Sequence, residues 1–176
     1  MKALVIGATG ATGKDLVTQL LSDPDFKEVD VFVRKPVPIQ NPKLKTHIVD
    51  FEKPDEWKDL VKGDVAFSCL GTTLKTAGSK EAQRKVDYDY QYNFAKSARE
   101  NNVEDYVLVS SYGADSKSKI FYSKMKGDLE QSVKALHFNK ITIFQPGMLE
   151  RKDTERMGEV LGGKIIKLAN KLGMFK

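Results

Sequence analysis

Seven residues, Gly7-Ala8-Thr9-Gly10-Ala11-Thr12-Gly13, follow directly on the apolar run Ala3-Leu4-Val5-Ile6. A buried strand that turns at once into a glycine-rich loop and then a helix leaves few folds open. Glycine reaches positive φ and lets the backbone come close to a ligand. The helix that follows, expected to start at about Gly13, aims its free N–H groups and positive dipole end back at the loop. Such a corner is built to hold a pyrophosphate, and a dinucleotide is its natural occupant. The competing reading is an ordinary glycine-rich turn with no ligand. Position weighs against it, because this loop follows a strand and opens a helix.

Apolar runs of strand length recur at residues 3–6, 29–33, 65–70, 106–109 and 141–144, with a weaker one around 45–49. They are mostly continuous rather than alternating, as in strands covered on both faces. Between them, residues 14–22, 54–61, 80–101 and 121–136 carry apolar side chains at three- and four-residue steps and read as helices. The Pro-rich stretch 35–42 reads as a surface connection. Strand and helix in alternation, joined by right-handed crossovers, predict an α/β doubly wound parallel sheet. This is a Rossmann fold in three α/β/α layers, with its ligand crevice at the carboxyl ends of the strands near the switch point. The residues just after each strand are then the useful ones: Gly7 to Gly13, Arg34 and Lys35, Asp50 and Phe51, Leu70 to Thr73, Ser110 to Gly113, and Gln145 to Leu149.

A length of 176 residues suits one nucleotide-binding domain over 1–176, its part from about residue 146 contributing a small C-terminal substrate region. Lys and Arg number 29 against 24 Asp and Glu, a modest excess of +5 spread along the chain, which does not imply nucleic acid. No stretch approaches the roughly 18 apolar residues that span a bilayer, so a soluble protein without a membrane partner is expected. The single cysteine, Cys69, forms no intrachain disulfide, and the first residues lack a signal-peptide layout. A cytoplasmic location is the expectation.

The second strand ends Val33-Arg34-Lys35, where a domain selective for NAD carries an acid that bonds the ribose 2′-hydroxyl. Two cations there suit a 2′-phosphate, Arg in forked geometry, so NADP is favoured and NAD kept as the alternative. The plain reading is that Arg34 and Lys35 are solvated loop charges. Asp50 and Phe51 are placed to accept from the adenine amino group and to cover its ring, although Asp50 serves equally well as a helix cap near Pro54.

Tyr122 and Lys126 stand at i and i+4 on a predicted helix and share one face. A phenol ionises near pH 10, and a neighbouring ammonium lowers that value, so Lys126 is expected to tune Tyr122 as acid or base. Ser110-Ser111 ends the fifth strand, where a hydroxyl would hold a substrate oxygen beside Tyr122. Taken alone, Tyr-x-x-x-Lys is commonly an exposed helix face. Glycine turn, Ser-Ser and the Tyr/Lys pair in this order are more specific.

These residues resemble the short-chain dehydrogenase/reductases, whose turns the G-x-x-G-x-x-G spacing suits, in their atypical NAD(P)-binding branch; within it the chain is similar to the Tat-interacting-protein-like oxidoreductases. The resemblance is carried by Gly7 to Gly13, Val49 to Glu52, Cys69 to Thr73, Ser110-Ser111 with Gly113 to Asp115, Tyr122 with Lys126, and Pro146-Gly147. It implies that Gly7, Thr9, Gly10, Ala11, Thr12, Gly13, Leu70, Gly71, Thr72, Ser110, Pro146 and Leu149 border the cofactor, with Arg156 less firmly matched. It also implies that Lys126 holds the nicotinamide ribose, that Tyr122 exchanges the proton, and that Ser111 is the matching serine. Gln145 departs from the pattern, since similar chains carry Arg before Pro-Gly. The sequence also stops soon after Leu172 where relatives continue, so either the substrate lobe is small or the chain is incomplete.

The expected activity is hydride transfer to or from a carbonyl or alcohol of a small-molecule substrate. The alternatives are a non-catalytic NADP(H)-sensing protein and a nucleotide-sugar epimerase-like enzyme, for which the C-terminal part looks short. A homodimer is an expectation of the resemblance. Cys69 reads as a small buried hydrophobe, and His47 and His137 show no ligand spacing, so no metal is expected. Tyr88, Tyr90, Tyr92 and Phe94 alternate within a predicted helix, leaving some exposed, paired with another subunit or packed in the core. Residues 164–172 form a basic amphipathic stripe that reads as covering its own core.

Overall fold

The computed structural model describes residues 1–147. Its strands are β1 (Lys2–Ile6), β2 (Glu28–Val33), β3 (Leu44–Ile48), β4 (Val65–Ser68), β5 (Asp105–Val109) and β6 (Lys140–Phe144). All pair in parallel in the order β3-β2-β1-β4-β5-β6. The strand order reverses between β1 and β4, where Ala3 faces Val65 and Ile6 faces Ser68. The crevice therefore opens there, at the carboxyl ends of both strands.

The continuous apolar character of the central strands follows from cover on both faces. Ala3, Val5, Val29, Val31 and Phe67 pack on Leu16, Val17 and Leu20 of helix α1 (Ala11–Ser22). Leu4, Ile6, Phe32, Ala66, Tyr106 and Leu108 form the opposite core with Phe94 and Ala95 of α4 (Tyr90–Glu100) and Leu129 and Val133 of α5 (Phe121–Lys134). The chain thus places Leu4 and Ile6 on one face and Ala3 and Val5 on the other, the period of a strand.

Three helix expectations need correction. Helix α1 begins at Ala11, two residues before Gly13, with Gly10 as its N-cap and no side chain capping it. Residues 54–61 form two 3₁₀ turns, Pro54–Glu56 and Lys58–Leu60, which seat Trp57 in the core, its indole donating to the Asp50 carbonyl at 2.9 Å. Residues 80–101 are not one α-helix. Short helices α2 (Leu74–Ala77) and α3 (Lys80–Arg84) lead into a π-helical turn over Lys85–Asp89 and only then into α4. Gln91 donates to the Asp87 carbonyl at 2.8 Å and accepts from Ser68 at 2.8 Å, so the widened turn is tied to the end of β4. The extra residue also shifts the helical register. That is how alternating Tyr88, Tyr90, Tyr92 and Phe94 all lean on the same core: Phe94 is buried and the tyrosines half-buried against it.

Candidate functional site

Gly7 sits at φ +85°, and a Cβ there would lie 2.5 Å from the Cys69 carbonyl carbon; one on Gly13 would lie 2.1 Å from the Gly7 oxygen. No side chain larger than hydrogen fits either place, so β1, the loop and α1 close on one another only with glycine. Thr9, Gly10 and Ala11 are exposed and Thr12 half-buried at the uncapped start of α1. Their loop opens onto a cleft of about 620 Å³ lined by Gly7, Thr9, Gly10, Arg34, Leu70, Gly71 and Thr72, and on its far wall by Glu52, Val86 and Tyr90. Arg34 also lines an adjoining recess of about 440 Å³ together with Thr9, Lys35 and Pro36. Cys69 forms part of the cleft, its thiol pushed up to about 12 by burial and therefore no nucleophile near neutral pH.

The Asp50-Phe51 expectation fails in part. Phe51 is buried, edge-on to Trp57 and stacked on Tyr90 at 5.4 Å, because the apolar ring finds a core under the loop. The Asp50 carboxylate accepts from the Glu52 N–H at 3.0 Å, an Asx turn rather than a helix cap.

At the nicotinamide end expected from the sequence, the Ser111 hydroxyl lies near enough to Tyr122 to bear on its phenol while donating to the Tyr112 carbonyl at 3.5 Å, and Tyr122 is 38% exposed. Beside Tyr122 lies a cavity of about 450 Å³ lined by Leu74, Ile120, Phe121 and Thr72, with Lys80 and Gln83 also on its wall. Ser110 does not join them. It is buried and donates to Glu130 at 2.5 Å, and Gln145 donates to the same oxygen at 2.9 Å, so of the two serines just past β5 Ser110 turns into the core and Ser111 stays outside it. Pro146 accepts the Tyr112 N–H through its carbonyl at 2.9 Å. Leu149, Arg156 and the stripe 164–172 lie outside the described residues.

Lys126 is where the structure differs most from expectation. Its ammonium is buried 3.7 Å from the carboxylate of Asp87, itself fully buried in the π-helical turn. Asp87 also accepts the Thr72 N–H at 2.9 Å, joining the Gly71 loop to α5 through one carboxylate. Burial lowers the Lys126 ammonium below its ordinary value and raises the Asp87 carboxyl above its own; their attraction opposes both shifts. Tyr122 is not lowered by Lys126. Burial and the Asp87 charge raise it, and the Ser111 hydroxyl opposes them. The phenol is therefore held protonated, poised to give a proton rather than to take one. Nothing in the sequence marks Asp87 and Glu130, because a polar residue on a helix face is ordinarily solvated; the nearest signal is Asp87 and Gln91, polar at i and i+4 within the aromatic segment.

Sheet order, glycine corner and cleft define a Rossmann-type nucleotide-binding protein. Residues 7–167 match the family model described as NAD(P)H-binding, and the chain belongs to that family. It is 36% identical over 166 residues to rat Protein HTATIP2, covering 91% of this chain and 68% of that protein. It is 35% identical over 171 residues to Protein FMP52, mitochondrial, of Saccharomyces cerevisiae, covering 94% and 73%. Among solved structures, MoeE5 in complex with UDP-glucose and NAD superposes with TM-score 0.68 at 17% identity, over 82% of this chain and 54% of that one. The UDP-glucose 4-epimerase of Thermotoga maritima gives 0.68 at 14%, over 82% and 55%. The chain spans about half the length of those two, and at such identity they share its fold.

The expected cytoplasmic location is overturned, since several relatives at 32–38% identity are named mitochondrial. A lone cysteine excludes an intrachain disulfide in either compartment and never separated the two. No helix among the described residues is long and apolar enough to cross a membrane.

Proposed function

We propose that the chain is an NADP(H)-dependent oxidoreductase acting on a carbonyl or alcohol of a small molecule. The observation that carries this reading is that Tyr122, with Ser111 nearby, lines the cavity of Leu74 and Phe121, which shares Thr72 with the cleft of the glycine corner. The uncapped N–H groups of α1 suit a pyrophosphate, and the recess bearing Arg34 and Lys35 suits a 2′-phosphate. A bound nicotinamide supplies or accepts hydride. Ser111 orients the substrate oxygen and Tyr122, kept protonated by burial and by Asp87, donates to that oxygen as it becomes an alcohol, then regains its proton from water. Lys126, paired with Asp87, anchors this end and offers its remaining ammonium protons to a ribose. The FMP52 names support a mitochondrial location.

Purified protein with NADPH and a panel of aldehydes, ketones and quinones tests this by loss of nicotinamide absorbance. Tyr122→Phe is expected to lower turnover by about 10²–10⁴ with NADPH affinity unchanged. No oxidation across the panel, with binding intact, rejects the enzyme in favour of a nucleotide sensor.

A further inference from the structure

The cavity beside Tyr122 is walled by the two connections that leave the carboxyl ends of β4 and β5, with Leu74 and Lys80 from the first and Ile120, Phe121 and Tyr122 from the second. Leu74 is 47% exposed and Ile120 68%, so two large apolar side chains stand in water at one cavity. The polar groups on its wall are already engaged. The buried Gln83 amide donates to the Thr72 carbonyl at 3.2 Å, and the Thr73 hydroxyl accepts the Thr76 N–H at 3.1 Å as the cap of α2. A sugar, whose every hydroxyl wants a partner, is poorly served by such walls. Among the described residues lining the cavity, Lys80 alone is charged. Its ammonium lies over the Phe121 ring, 5.4 Å from the centroid, and among the described residues no carboxylate lies within ion-pair distance of it. The adjacent Glu81 carboxylate feels the Lys80 charge but is engaged by its own N–H and by Ser79. A ring face attracts an ammonium without taking up its three N–H donors as a carboxylate would.

We infer that the substrate is an apolar carbonyl compound bearing a carboxylate, with its carbonyl at Tyr122, its apolar body on Leu74, Ile120 and Phe121, and its acid on Lys80, which sets the specificity. This rests on the oxidoreductase reading above. In reduction the carbonyl carbon gains the hydride that NADPH loses and the oxygen gains the Tyr122 proton, so an alcohol and NADP⁺ leave with the carboxylate unchanged. The cavity, about 450 Å³, falls within the range of about 300–1,000 Å³ usual for small-molecule sites. Thr72 stands on its wall and on that of the nucleotide cleft, which brings a bound substrate up to the nucleotide. Lys80 rests on the ring next along from Tyr122, so a compact body, one aromatic ring or a short chain, reaches from acid to carbonyl.

Titration calorimetry of the full chain tests this with 4-carboxybenzaldehyde, 4-methylbenzaldehyde and 4-(trimethylammonio)benzaldehyde in the presence of NADP⁺, which cannot reduce them; parallel assays follow NADPH oxidation by each. Wild type is expected to bind the acid about two- to fivefold more tightly than the methyl compound, the worth of an ion pair within reach of solvent, and the preference to shrink as salt is raised. Lys80→Met, which keeps an apolar stem over Phe121, is expected to lose the preference at unchanged melting temperature, and Lys80→Glu to hand it to the trimethylammonio compound. Each protein is judged by the ratio of the same compounds, so ring electronics cancel. A lysine that merely covers Phe121 leaves the ratio unmoved. A preference absent from wild type, or one that survives both substitutions, overturns the inference, while NADPH oxidation by the methyl compound keeps the oxidoreductase reading standing. No oxidation by these aldehydes or by the wider panel overturns both.

Discussion

Replacing Asp87 with Asn removes one charge from a fully buried pair while keeping its shape and its acceptor for the Thr72 N–H. At 3.7 Å the attraction to Lys126 is about 4 kcal/mol at an effective dielectric of about 20. Burial outweighs that attraction at Asp87, whose carboxyl is raised, and Lys126 retains some attraction from Glu130 and can shed its proton, so the neutral Asn is expected to leave stability at pH 7 level with wild type or raised. The pH dependence is more diagnostic. The Asp87 carboxyl is raised from 3.8, so above 3.8 the folded state holds a proton that the unfolded state has released, and wild-type stability declines as pH rises through that window. The Lys126 ammonium is lowered from 10.5, so stability recovers as pH climbs from its folded value toward 10.5. The variant should lack the acid-side decline and begin the alkaline recovery at lower pH, because burial then acts on Lys126 with less opposition. Urea melts from pH 4 to 10 measure both. A variant that loses several kcal/mol at pH 7 and keeps the acid-side decline refutes the reasoning.

Gly13→Ala puts a methyl 2.1 Å from the Gly7 oxygen, more than an ångström inside ordinary contact, and is expected to cost about 1–3 kcal/mol and to abolish nucleotide binding; wild-type melting and affinity contradict it. Arg34→Ala should weaken NADPH about tenfold or more and NADH by much less, read by fluorescence titration, and equal weakening sinks the NADP assignment. Ser110→Ala should cost about 1–2 kcal/mol by leaving Glu130 short of a donor, with NADPH affinity unchanged; lost affinity without lost stability would return Ser110 to the cofactor site. On the buried side of β2, burial opposes ionisation of Asp30, but hydrogen bonds from His47 and Lys2 hold its carboxyl below 3.8. Its stabilisation is therefore present above pH 3.8 and lost as pH falls through the folded value. Asp30→Asn should destabilise at pH 7 and converge with wild type in acid; a constant gap argues against the cluster.

What could be read from residues alone was what repeats or is locally constrained. Apolar runs locate each strand among the described residues, continuous in the central ones and broken in weak β3 by Lys45, Thr46 and His47. Glycine spacing located the nucleotide corner, and helical spacing put Tyr122 near Lys126. The rest depends on contacts between distant segments. Nothing local marks a π-helical turn at Lys85–Asp89, which is stabilised by Gln91 reaching both Ser68 and the Asp87 carbonyl. Without that turn Asp87 has no route to Lys126, and helical spacing then suggests that Lys126 serves Tyr122. Ser110 escapes a local reading for a related reason: the phase in which the chain leaves β5 decides which serine faces the crevice, and either phase fits Ser-Ser. Phe51 illustrates the competition between a ligand and a core for one aromatic ring, won here by Trp57 and Tyr90.

The most direct measurement is calorimetric titration of folded chain with reduced and oxidised pyridine nucleotides, paired with thermal melting. Saturable heat with NADPH, a raised melting temperature, and loss of both in Gly13→Ala are predicted. Silence from NADP(H) and NAD(H) alike, with no gain in melting temperature, would contradict the account.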